Sequence, residues 1–109
     1  MEVFKLEDMK RGWFVGNFDP SIFKTEDTEV AVKEYREGDY EPEHFHKIAT
    51  EITVIIDGMV RMKGNTYRKG DIIVVKPNES TDFLALVHTT TVCVKLPGAT
   101  EDKYAVHSA

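Results

Sequence analysis

After residue 28 the chain has no sustained helical spacing of apolar residues; short β-branched and aromatic runs recur instead, separated by glycine, asparagine and aspartate. This rhythm predicts an all-β domain. The runs are TEVAVKEYR (28–36), EITVIIDG (51–58), MVRMKG (59–64), IIVVK (72–76), FLALVH (83–88) and TTVCVKL (90–96), with a further turn at Gly70-Asp71. Together with the flanking segments they amount to about seven or eight strands, the spacing of a sandwich or closed barrel. Asp57-Gly58 is a dipeptide that favours the left-handed dihedrals of a tight hairpin turn. IIVVK and FLALVH are nearly continuous in apolar residues, as expected of strands covered on both faces.

A length of 109 residues allows one core and therefore one domain. Residues 28–96 are expected to form the barrel. Residues 1–27 contain Trp13, Phe14, Phe18 and Phe23, interrupted by Gly12, Gly16 and Pro20. They are expected to supply one or two strands and a loop, packed outside the barrel or at the interface of a homodimer. Residues 97–109 read as a polar tail.

Charge narrows the partners. The net charge is −5 and lysine and arginine are dispersed, which leaves no basic footprint for nucleic acid. No apolar run approaches the roughly 20 residues that span a bilayer, so no membrane partner is expected. The first ten residues alternate charge with apolar side chains rather than forming a signal-peptide core, and the lone cysteine, Cys93, has no internal disulfide partner. A cytoplasmic location is expected. Cys93, within TTVCVKL, reads as a small packed residue.

Chemistry concentrates in EHFHKIATE, residues 43–51. Side chains alternate along a strand, so His44 and His46 share one face and Phe45 takes the other. Lys47–Thr50 is expected to be a hairpin or bend that returns Glu51 alongside them. Two imidazoles and a carboxylate leave coordination positions open, an arrangement suited to Fe, Mn, Ni or Zn.

Gly38, His44, His46, Glu51 and Gly58, at spacings of five, one, four and six intervening residues, resemble the first motif of the cupin superfamily. GDIIVVKPNESTDF (70–83) is similar in outline to the second. The resemblance implies a double-stranded β-helix, a jelly-roll barrel, that binds a small-molecule ligand between its sheets. It also implies a divalent transition metal held by His44, His46 and Glu51, and isomerase, lyase or oxygenase chemistry on a small polar metabolite. The other reading is a non-catalytic or metal-free module for a sugar or similar ligand. In the second motif Lys76 replaces a proline, Asn78 a glycine and Thr81 the histidine that often serves as a fourth ligand. Asp82, the next residue, faces away unless a bulge turns it inward.

Without a metal, His46 or His44 is the candidate base with Glu51 fixing its tautomer; His46, Glu51 and Tyr40 are the candidate catalytic residues, Tyr40, at the expected mouth, as acid or hydrogen-bond donor. Thr53 and Ile55 share a strand face with Glu51 and are expected to line the pocket, with Arg61, Thr81 and Phe83 beside them and Tyr35 a further contributor. His88 is expected at a strand end on the surface and His107 in the tail.

Overall fold

In the computed structural model, residues 1–98 and 101–106 are described, and they form two five-stranded antiparallel sheets. The first contains, in spatial order, β1 (Trp13–Val15), β2 (Glu29–Tyr35), β9 (Thr89–Leu96), β4 (Thr50–Asp57) and β7 (Ile72–Val75). The second runs β10 (Tyr104–Ala105), β3 (Tyr40–Phe45), β8 (Ser80–Ala85), β5 (Met59–Met62) and β6 (Asn65–Arg68). A single 3-10 turn, Leu6–Asp8, precedes them, and no helix among the described residues is long and apolar enough to cross a membrane.

The period-2 pattern assigns the faces. On the first sheet Ala31, Ile55 and Cys93 point inward and are buried, while the register stacks Val30, Val94, Ile52 and Val74 on the outer face in one row. Val32, Val92, Val54 and Ile72 form a second outer row. One end of the interior is filled by Ile55, Val60, Met62, Phe83 and Ala85, with Tyr35, Tyr67, Ile73 and Val75 packed against them.

Three expectations are corrected. Asp57-Gly58 is a corner rather than a hairpin, because β4 and β5 lie in opposite sheets. Gly58 has φ +106, and a Cβ there would stand 2.4 Å from Thr89 Oγ1 and 2.6 Å from the His88 carbonyl oxygen, so only glycine lets the corner pass the β8–β9 turn. IIVVK is an edge strand with one face open: Ile72 and Val74 are 64% and 50% exposed. Residues 97–109 are not simply a tail either. Tyr104–Ala105 pairs with Phe45 and His44, Tyr104 stacks on Phe45 at 5.4 Å between centroids, and Asp102 is buried. His107 lies outside the described residues.

The N-terminal segment adds one strand, β1, to the edge of the first sheet through β2. It lays the Trp13 ring under the ammonium groups of Lys33 and Lys95, at 5.3 and 4.9 Å from the ring centroid.

Candidate metal centre

His44 is the penultimate residue of β3 in one sheet and Glu51 the second residue of β4 in the other, with His46 between them. The connection at Lys47–Thr50 therefore crosses between the sheets instead of returning the chain alongside itself, and the three side chains converge from both walls. One donor atom from each lies within 4.8 Å of the other two, and the imidazoles meet edge to face at 5.5 Å between centroids. The position of the turn is set from outside. The Asp102 carboxylate accepts the backbone N–H groups of Lys47 (2.9 Å), Ile48 (3.0 Å) and Ala49 (3.0 Å), which would otherwise be unpaired.

Both rings are oriented by backbone carbonyls. His44 Nδ1 lies 2.9 Å from the Pro42 oxygen and His46 Nδ1 contacts the Asp102 oxygen. A carbonyl only accepts, so each Nδ1 carries the proton and each neutral ring keeps its lone pair on Nε2. His46 Nε2 is buried and has no hydrogen-bond partner among the described residues, although Glu51 Oε2 is 2.9 Å away. With the ring neutral, Nε2 and the carboxylate oxygen are two lone-pair donors held together as donors to a common cation are; with a second proton on the ring, the same separation is a charge-assisted hydrogen bond to Glu51.

A hydrogen bond from a protonated ring to the Glu51 carboxylate is the main cause that raises the His46 pKa above its usual value; burial opposes this, and the Asp102 carbonyl adds to it. Burial pushes Glu51 upward, but His46, Lys95 and the Cys93 thiol outweigh it and bring the carboxyl down to about 2. Cys93 Sγ donates to Glu51 Oε1 at 3.3 Å. Burial, with Glu51 next to it, holds the thiol pKa far above its ordinary value, so Cys93 is a protonated, packed donor. The inner cavity is about 30 Å³, enough for an ion and a small donor group.

No family model and no curated protein matches the sequence. Solved structures do resemble it. An uncharacterised protein with a double-stranded β-helix domain from Klebsiella pneumoniae subsp. pneumoniae MGH 78578 superposes with a TM-score of 0.71 at 19% identity, covering 94% of this chain and 90% of that one. An RmlC-like cupin from Shewanella frigidimarina NCIMB 400 gives 0.62 at 17% identity over 72% of both chains. The fold is that of a small cupin domain. The DMSP lyase DddQ from Ruegeria pomeroyi DSS-3 gives a TM-score of 0.64 at 20% identity, over 82% of this chain and 46% of that one.

The barrel gathers His44, His46, Glu51, Thr53, Thr81 and Phe83 around the inner cavity. Thr81 stands opposite His44 in the β3–β8 register, and its hydroxyl donates to the Asp82 carbonyl at 2.7 Å. Asp82 borders the cavity, but its carboxylate accepts the Lys63 N–H at 2.7 Å. Asn78, at the glycine position, adopts the left-handed conformation with φ +70, and its N–H binds the His46 carbonyl at 2.7 Å. His88 is exposed and sits 3.2 Å from Glu34.

Ile55 and Arg61 fall outside the cavity. Ile55 has the inward face expected of it but lies deeper along β4, 1% exposed in the apolar core. Arg61 is exposed, because the inward positions of β5 belong to Val60 and Met62. Tyr40, 57% exposed, lines a wide outer cleft rather than the inner cavity. Sequence reasoning missed Asp102, Lys33 and Glu41. Asp102 carries no local signal, since its partners lie more than fifty residues away along the chain.

Proposed function

We propose that this cupin binds a divalent transition metal through His44 Nε2, His46 Nε2 and a Glu51 carboxylate oxygen, and acts on a small polar metabolite. The observation that carries the reading is the buried, unpartnered His46 Nε2 beside the Glu51 carboxylate, its tautomer set by the Asp102 carbonyl. A divalent ion there supplies Lewis acidity, or electron transfer to dioxygen if it is redox-active. Its identity is within the Fe, Mn, Ni and Zn group that suits two imidazoles and a carboxylate.

The chain's own residues do the rest. The imidazole Nδ1–H groups keep the rings in register through Pro42 and Asp102, and Cys93 fixes one Glu51 oxygen so that the other faces the histidines. Thr81 lies next to His44 where a further histidine would close the site, which favours an open position for a ligand oxygen. Barrels of this shape include a lyase, which supports an enzyme of lyase, isomerase or oxygenase type.

A second reading draws on the same pair. With no ion, Glu51 and a protonated His46 form a proton-transfer couple, or a binding site for an uncharged sugar-like ligand. Elemental analysis of protein purified without chelator decides between them. Near-stoichiometric metal that disappears in His46→Ala supports the metal reading; folded, metal-free wild type supports the second. The two outer rows of aliphatic side chains, with exposed Phe4, Leu6 and Phe23 on the N-terminal segment, favour a homodimer.

A further inference from the structure

The inner cavity is too small for a whole metabolite, and it does not stand alone. A cleft of about 980 Å³ runs between the N-terminal segment, β2 and the start of β3. Lys33, Tyr35 and Glu41 line both spaces, so the cleft and the cavity meet at these three side chains. A ligand that places one donor group near His44, His46 and Glu51 must leave its body in the cleft and pass Lys33 on the way.

Lys33 is poorly satisfied for an inward-facing cation. Its side chain is only 23% exposed, and its nearest carboxylate oxygen, Glu41 Oε1, is 3.7 Å away, beyond hydrogen-bond reach. That same oxygen also accepts the Tyr35 hydroxyl at 3.4 Å. Among the described residues the ammonium donates no hydrogen bond, and its other neighbours are the faces of Trp13 at 5.3 Å and Tyr35 at 5.9 Å. Three N–H donors are thus held at the junction by aromatic walls that offer charge attraction but no lone pair. A desolvated ammonium is repaid best by an anionic oxygen, whose charge-assisted hydrogen bonds are about twice as strong as neutral ones.

We propose that Lys33 anchors a carboxylate of the ligand at the junction of cavity and cleft, making the substrate class small carboxylic acids rather than neutral sugars. This inference rests on the metal reading and narrows its substrate.

The test uses the Co(II)-loaded protein, whose visible absorption reports ligands entering the metal's coordination sphere. Pyruvate and its uncharged counterpart pyruvamide are titrated into wild type, Lys33→Met and Lys33→Arg. We expect Lys33→Met to weaken pyruvate by at least about tenfold, the loss of one charge-assisted hydrogen bond, and to leave pyruvamide unchanged. Lys33→Arg should keep most of the pyruvate affinity. An equal loss for both ligands, no loss for either, or no pyruvate response in cobalt-loaded wild type overturns the proposal while leaving the metal reading intact. A wild type that takes up no cobalt removes the metal reading itself, and this one with it.

Discussion

One strand runs through two different interiors. On β4, Glu51, Thr53 and Ile55 all face inward, yet Glu51 contacts His46 and Cys93 whereas Ile55 is packed among Val60, Met62, Phe83 and Ala85. The barrel is divided along its axis into a polar end that holds donors and an apolar end that holds the sheets together. Chemistry is confined to one end because a buried donor must be matched by a cation or a hydrogen bond, and the apolar end supplies neither. The division predicts that damage at one end leaves the other largely intact.

The largest effect is expected at the polar end. His46→Ala should weaken metal binding by more than about 100-fold, since loss of a group that merely orients a ligand already costs 10 to 100-fold. Calorimetric titration and elemental analysis measure this, and the far-UV circular dichroism should be unchanged. Phe83→Ala is the mirror experiment, because Phe83 borders both regions but packs on Tyr35 with centroids 4.5 Å apart. It should cost about 3–5 kcal/mol in urea unfolding, while the protein that remains folded still takes up metal.

Asp102→Ala sharpens the division because Asp102 serves both the turn and His46. Loss of its three backbone hydrogen bonds should cost about 1–3 kcal/mol, whereas the backbone carbonyl that faces His46 Nδ1 is kept, so metal affinity should fall by less than in His46→Ala. Burial pushes the Asp102 pKa up, but the N–H groups of Ala49, Lys47 and Ile48 outweigh it and leave it below the ordinary value. A depressed folded pKa means that this stabilisation is present above the unfolded value of about 3.9 and is lost as pH falls through the folded one. The gap between wild type and variant should therefore narrow in strong acid, read by urea unfolding across that range.

Metal affinity should follow the opposite group. His46 has a raised pKa, so acidification protonates it at a pH above the ordinary imidazole value of about 6.5 and a metal must displace that proton. Binding should weaken as pH falls from above that value, with proton release visible as a dependence of the calorimetric enthalpy on buffer. Arg61→Ala gives the smallest effect. It is exposed on the outside of β5 and should change stability by less than about 0.5 kcal/mol and metal affinity not at all.

The same division explains what could be read in advance. Alternation on β4 and β8 placed Glu51, Thr53, Thr81 and Phe83 inward, and the structure agrees. Period two reports a face but not a depth, which is why Ile55 carried a pocket expectation and lies in the core. Local turn chemistry at Asp57-Gly58 pointed to a hairpin, whereas the sheet receiving the next strand is decided by long-range pairing of β4 with β9 and of β5 with β8. Asp102 was illegible because its role depends on β10 returning to β3. Lys33 shares its strand face with Ala31 and Tyr35, but alternation along β2 carries no signal of the Trp13 ring that lies against it.

The most direct test of the central claim is an anomalous-difference map at the absorption edge of whatever metal the purified protein carries. We predict a single peak about 2.0–2.2 Å from Nε2 of His44, Nε2 of His46 and an oxygen of Glu51. A peak elsewhere, coordination through Nδ1, or protein folded as described here with no peak between these three residues would contradict it.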